Sequence, residues 1–332
     1  TSLAERGHEL VYLDTQNPRA NPRTRLEGPE EDALPGVRAW RYIDRGAFSR
    51  FWEGTQEPEA QHRMSPAQRA VLTEVIEREA PDVIHVHEFI GLPFDFIGLA
   101  REREIPVVFT PHDFYALCPN VKLMTWEGRI CPYDTDGLEC QRCSEGGLTH
   151  RRAHREYLIN RTLGPLPKVR NFLYRKNREG APGRTDPGPY RERRRAALAW
   201  LGRLERVLCI SEDQKRRFAQ ICPPGVPLDL LYLSRKSYAE TPPEPENSSA
   251  DAPLRLVALN IVSKPKGLDI LIEAFRELAE AGVAAVLELY GLSEQPEGCP
   301  SLPNITCRGP YAPGDLDTIA RRADMGIIPS VW

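Results

Sequence analysis

At 332 residues, with a formal net charge of −3 and a mean hydropathy of −0.46, the chain has the length of two domains and too little charge to imply a nucleic-acid partner. No run approaches the ~18 apolar residues of a membrane helix; the longest candidate, Phe89 to Ala100, is interrupted by Asp95. Eight cysteines in a chain of this length are too sparse for a disulfide framework.

The sequence opens inside a pattern. TSLAERGHEL reads as the last turn of a helix, a stop at Gly7, and a strand from Glu9 to Leu13, so a first strand is expected to precede residue 1. Residues 15–62, rich in Pro, Gly, Asn and Asp, read as loop with one short strand near Val37–Tyr42. Pro66 to Arg78 is a helix: Ser65 caps it, Pro66 takes its first position, and Val71, Leu72, Val75 and Ile76 form its apolar stripe.

Residues 82–118 organise the first half. The apolar run Val83 to Val86 leads to His87 and Glu88, and a helix-like run from Phe89 to Ala100 comes next. A second β-branched strand, Ile105 to Thr110, ends at Pro111-His112-Asp113. In parallel α/β sheets the polar residues past the strand carboxyl ends face the ligand crevice. His112 is therefore a candidate site residue, His85 reads as a core residue of its strand, and His87 falls between the two.

Residues 119–147 read as an ordered loop. Within it Cys118, Cys131, Cys140 and Cys143 have the spacing C-x12-C-x8-C-x2-C. Four thiolates suit a structural zinc; free thiols or two disulfides are the other readings. From Arg151 to Arg206, sixteen Lys or Arg stand against five Asp or Glu. Helices are expected there at roughly 150–162, 167–177 and 190–204. The basic bias is either a solvated face or a surface for a phosphate-bearing partner or an anionic membrane.

Arg206 to Ile210 is a strand, Ser211 caps the next helix, and Leu228 to Leu233 is a further strand. Residues 237–253 form a Pro/Glu/Ser-rich linker. A first domain is thus expected over 1–236, with the cysteine loop 118–143 and the basic segment 150–206, and a second over 254–332. In the second, the strand 254–259 feeds NIVSKPKG and an amphipathic helix from Leu268 to Glu280. Lys264, Lys266 and Gly267 at that loop-to-helix junction suit a phosphate. Strands at 283–290, 305–307 and 325–328 and a helix at 314–323 continue a doubly wound pattern that needs several more elements.

LAERGHEL, PDVIHVHE, VVFTPHDFYALCP, KGLDILIEAFREL, LELYG, ITCRG and IARRADMGIIPSVW stand in an order and spacing that resembles glycosyltransferase family 4, over nearly the whole chain. The resemblance implies a GT-B architecture: two Rossmann-like doubly wound domains facing across a cleft, a nucleotide-diphosphate sugar held mainly by the second and an acceptor by the first. It places His112 beside the transferred sugar and Lys266 on the donor diphosphate. Asn260 and Lys264 stand where the family more often has an arginine, and Gly267, Gly291 and Ser330 complete the implied donor site. In the family PSxW is followed by two glutamates seven residues apart. The chain stops at Trp332, so the second domain is expected to be incomplete.

The expected activity is a retaining glycosyl transfer to a hydroxyl acceptor, such as a glycan, a lipid-linked sugar or a small molecule. Lysines would neutralise the diphosphate, so no catalytic metal is expected. A cytoplasmic location, with peripheral contact at the membrane's inner face, fits this reading. The alternatives are a nucleotide-sugar epimerase or glycan phosphorylase of the same fold, or a noncatalytic scaffold.

Overall fold

The computed structural model describes residues 3–16, 23–31, 36–44, 58–125, 129–133, 137–145, 169, 173, 187–233, 252–260, 266–291 and 302–330. The chain divides into two compact units, Thr1–Leu233 and Ser234–Trp332. Both are α/β, with parallel ladders at their centres.

The first unit begins with a short 3-10 turn, Ala4–Arg6, closed by Gly7 in the left-handed region. Strands β1 (Leu10–Gln16), β2 (Arg25–Glu31) and β3 (Val37–Ile43) come next, in the order β1-β3-β2. β1 runs parallel to β3, and β2 antiparallel to it. The sequence reading missed β2: RLEGPEE carries four charges and a Gly-Pro pair, which read as loop. The strand tolerates the proline because it lies at the sheet edge, where its register on β3 shifts between Glu27 and Glu30.

Helix α1 (Pro66–Glu79) starts where its cap places it. Ser65 Oγ accepts from the Gln68 amide at 3.2 Å and Gln68 Oε1 accepts from the Ser65 amide at 2.7 Å, a closed capping box. It buries Leu72, Val75 and Ile76. Strand β4 (Ile84–Val86) is next in the chain, then α2 (Phe96–Arg101) and β5 (Val107–Phe109). The helix expected over 89–100 is confined to its last turns. Gly91 has φ 87°, Pro93 comes two residues later, and Asp95 spends its carboxylate on the Met64 amide at 3.0 Å, so residues 89–95 turn instead of coiling.

Helix α3 (Leu138–Glu145) stands inside the segment read as loop and carries Cys140 and Cys143. Its polar sequence hides it from a search for apolar periodicity. Beyond it, α4 (Gly188–Leu201), β6 (Arg206–Cys209), α5 (Glu212–Ile221, capped by Ser211) and β7 (Leu228–Leu230) complete the unit. The strands align as β4-β5-β6-β7, all parallel. The expected helix at 150–162 lies outside the described residues, as does most of the basic segment. So does the linker, apart from residues 252 and 253.

One apolar cluster serves both sheets. Tyr42 of β3 is buried with Leu72 of α1, Leu99 of α2, Val107 of β5, Val207 of β6 and Phe218 of α5. Each such side chain contributes about 1.5–3 kcal/mol by leaving water.

The second unit contains β8 (Leu254–Leu259), α6 (Leu268–Glu280), β9 (Ala285–Tyr290), β10 (Ile305–Gly309), α7 (Leu316–Arg321) and β11 (Met325–Gly326). α6 buries Leu271, Ile272 and Phe275 against Leu256, Leu287 and Leu289 of the sheet. The strand order β10-β9-β8-β11 reads 3-2-1-4 in chain sequence, the Rossmann arrangement, which reverses direction between β8 and β11. A bidentate pair fixes that junction. Asp324 accepts from Arg255 Nη2 and from the Arg255 amide, each at 2.8 Å. Asp324→Ala is expected to cost the second unit about 1.5–3 kcal/mol, the worth of a charge-assisted hydrogen bond. A denaturant midpoint equal to that of the parent would remove this role.

Candidate active site

In the first unit the chemistry gathers where β4 and β5 end. Their parallel register pairs Ile84 with Val107 and Val86 with Phe109, and the Thr110 amide continues it by donating to the Val86 carbonyl at 2.9 Å. The residues just past each strand are thereby brought side by side. His87 Nδ1 lies 3.0 Å from His112 Nε2, with ring centroids 5.3 Å apart. His85 is not a core residue: it is exposed, its ring is tilted against that of His87 with centroids 4.1 Å apart, and its Nε2 lies 2.8 Å from the Oγ1 of buried Thr110.

The surroundings set the charges of these rings. Surrounding atoms displace water around His87, and His85 and His112 add like charge, so its pKa falls to about 4. His85 is lowered for the same reasons, burial first and His112 second. His87 is therefore neutral near pH 7, and its contact with His112 is an N–H···N hydrogen bond. Opposite charges behave in mirror fashion. Burial, then the neighbouring Asp113 carboxyl, pushes Glu88 up to about 7, while burial raises Asp113 as well. Glu88 is still solvent-exposed as a residue; it is the carboxyl end that the two loops crowd.

The backbone under His112 is held from below. Gln214 of α5, itself buried, donates from Nε2 to the Pro111 carbonyl at 3.0 Å and accepts from the Ile210 amide at 2.9 Å. Arg193 of α4 is fully buried. It donates to Gln61 Oε1 and, at 2.5 Å, to the Tyr115 carbonyl, with its guanidinium over the rings of Phe94 and Tyr115. The sequence reading took Arg193 for part of a basic face; nothing local to it distinguishes it from Arg191 or Arg195. The mutual influence of the Glu88 and Asp113 carboxyls was equally missed. A signal for it was present: the same His-acid-Phe triplet comes after both strands, as His87-Glu88-Phe89 and His112-Asp113-Phe114.

In the second unit Asn260 and Gly291 stand just past strand ends and Lys266 and Gly267 at a helix start. Asn260, just past β8, has φ 55° and donates from Nδ2 to the Tyr311 hydroxyl at 2.9 Å. Gly291, just past β9, has φ 93°, and a Cβ there would come within 2.6 Å of Asn260 Oδ1. Gly267 has φ 77° and forms the N-cap of α6, where no side chain caps the first turn. A Cβ on it would collide with the Pro329 carbonyl, so α6 starts in contact with the segment leading to Ser330. Lys266 thus stands beside a helix N-terminus at the β8/β11 reversal, while Lys264 lies outside the described residues.

Cys118 and Cys140 are buried, and burial raises both thiols, Cys140 to about 12. The Cys131 amide donates to the Leu123 carbonyl at 2.9 Å, and Cys143 Sγ lies 3.7 Å from the Met124 carbonyl. Among the described residues, which include all four of these cysteines, no group of three or more His, Cys, Asp or Glu stands in a metal-holding arrangement. The zinc expectation therefore has no support in this geometry. Nor does any helix among the described residues have the length and apolarity to cross a membrane.

The lowered pKa of His87 fixes the sign of a pH effect. Its neutral form is favoured in the folded chain, so this contribution is complete above the ordinary 6.5 and is lost as pH falls toward about 4. His87→Asn is expected to flatten the acid decline of the urea midpoint over that window. A decline as steep as in the parent would contradict the assignment.

Comparison with known proteins agrees with this layout. Glycosyltransferase Family 4 matches residues 1–230. No curated protein matches the chain. Among solved structures, an α,α-trehalose-phosphate synthase (UDP-forming) from Burkholderia vietnamiensis is similar over 98% of this chain and 75% of its own, with a TM-score of 0.50 at 10% identity. The corresponding synthase of Burkholderia multivorans covers 96% and 70%, at TM-score 0.45 and 10% identity. A UDP-GlcNAc 2-epimerase from Neisseria meningitidis covers 80% and 60%, at TM-score 0.31 and 13% identity. At such identities the first of these shows a shared GT-B-like fold and no more. With the family matched over most of its length, the chain belongs to Glycosyltransferase Family 4.

Proposed function

We propose that the chain is a retaining glycosyltransferase that moves a sugar from a nucleotide-diphosphate donor to a hydroxyl acceptor, a glycan, a lipid-linked glycan or a small molecule. The observation that carries this reading is the 3-2-1-4 strand order, with Lys266 and Gly267 at its reversal. A helix N-terminus beside a lysine at that point suits the diphosphate, whose growing negative charge must be stabilised as the sugar leaves. Asn260, Gly291 and Ser330 would line the same crevice, and Lys264 would add a second cation.

His112 supplies the other half of the reading. It stands exposed in the loop after β5, with its backbone anchored through Pro111 and its ring against neutral His87. In this position it would hydrogen-bond the sugar near its reacting carbon. The donor diphosphate is neutralised here by lysines and helix amides, and any metal held by Cys118, Cys131, Cys140 and Cys143 would serve structure.

Lys266→Ala is expected to weaken nucleoside diphosphate binding by about 1.5–3 kcal/mol, the worth of a charged hydrogen bond. An unchanged dissociation constant by calorimetry would sink the donor assignment. His112→Ala should lower turnover about a hundredfold or more, as loss of a group acting on developing charge does, with a change of only a few degrees in melting temperature. Parallel loss of both would mark His112 as structural. Product analysis separates transfer with a retained anomeric configuration from epimerisation of the donor sugar.

A further inference from the structure

His87 Nδ1 and His112 Nε2 stand 3.0 Å apart, and their ring centroids 5.3 Å apart. The second distance is the first plus one ring radius at each end, close to the longest that such a contact permits. The two nitrogens therefore point at one another along the line of centroids, and the ring planes differ by only 26°. An N–H···N bond needs this alignment, because the imidazole lone pair and N–H both lie in the ring plane. His85 meets His87 differently: their centroids are 4.1 Å apart, too close for two nitrogens to meet end on.

One proton lies between the paired nitrogens, and it fixes both rings at once. If His112 Nε2 donates, both neutral rings carry their proton on Nε2. If His87 Nδ1 donates, both carry it on Nδ1. The first is the tautomer that neutral histidine prefers in water, and its bond survives a second proton on His112, which the alternative does not. It requires His87 to keep Nδ1 bare, as burial favours by lowering that ring to about 4.

We propose that His87 is a positioning residue: it accepts at Nδ1 from His112 Nε2 and so holds His112 as the tautomer whose bare Nδ1 accepts a hydrogen bond from a hydroxyl of the sugar. This deepens the transferase reading, and only the sugar rests on that reading. Three contacts keep the two rings in place. The Thr110 amide donates to the Val86 carbonyl at 2.9 Å and sets the level of the two loops. Gln214 Nε2 donates to the carbonyl of Pro111, the residue before His112, at 3.0 Å. His85, joined to the Thr110 hydroxyl through Nε2 at 2.8 Å, lies against the His87 ring. His112 itself is exposed, and without a fixed partner an exposed imidazole samples both tautomers. A partner that selects the tautomer of a working imidazole acts on turnover while leaving the fold intact.

Nitrogen-15 spectra of the histidine rings test this at about pH 8, above the ordinary imidazole range. In the parent the His112 signals, identified by their loss in His112→Asn, should show a proton on Nε2 and a bare Nδ1. His87→Phe keeps a ring and His87→Ala deletes it. Both remove the acceptor, and in both His112 should show averaged tautomers. His87→Asn carries an amide oxygen that stands off Cβ as Nδ1 does, so the fixed tautomer should return. With a nucleotide-diphosphate sugar that the parent turns over, kcat should fall about tenfold or more in His87→Phe and His87→Ala at nearly unchanged KM, and recover in His87→Asn. A proton on His112 Nδ1 in the parent, or an unaltered Nε2 tautomer in His87→Phe and His87→Ala, would overturn the assignment. If the parent turns over no nucleotide sugar, the transferase reading fails and the ring spectra still decide the role of His87.

Discussion

The first unit's candidate site depends on the pairing of two three-residue strands, Ile84–Val86 on Val107–Phe109. Both are short and apolar, and both give way at once to polar residues. Parallel pairing sends the two chains out of the sheet at the same edge, so the loop leaving one strand meets the loop leaving the other. A one-residue slip would turn every side chain to the opposite face. The core prevents it: Val107 is fully buried and Val86 and Phe109 nearly so.

Electrostatics then completes what topology starts. Three imidazoles and two carboxyls lie close together at an edge only partly open to water. Burial works against charge on both kinds of group: it lowers the His87 imidazole to about 4 and raises the Glu88 carboxyl to about 7. The second unit uses a different solution. There glycines at φ 77° and 93° leave room for Pro329 and Asn260 to approach where a Cβ would collide.

Much of this was legible in the residues. Ser65-Pro66 and Gly267 mark helix starts by their own stereochemistry, and α1 and α6 begin there. The strand order in the second unit accords with its alternating β and α patterns. What was hidden was tertiary. Strand β2 exists because β3 offers an edge, against its Gly28-Pro29 and its charges. Helix α3 has no apolar stripe of its own. His85 sits within a strand whose neighbours are apolar, yet Thr110 draws it outward. Arg193 is buried because Gln61, Phe94 and Tyr115 converge on it from distant parts of the chain, a fact no local pattern contains.

On the proposed reading, the reversal between β8 and β11 receives a nucleoside diphosphate. Amide hydrogen exchange with and without a panel of nucleoside diphosphates tests it most directly. Protection is expected to concentrate at Leu268–Leu271 at the start of α6, at Asn260 and at Gly291. Protection confined to other segments, or none with any diphosphate at saturating concentration, would contradict it.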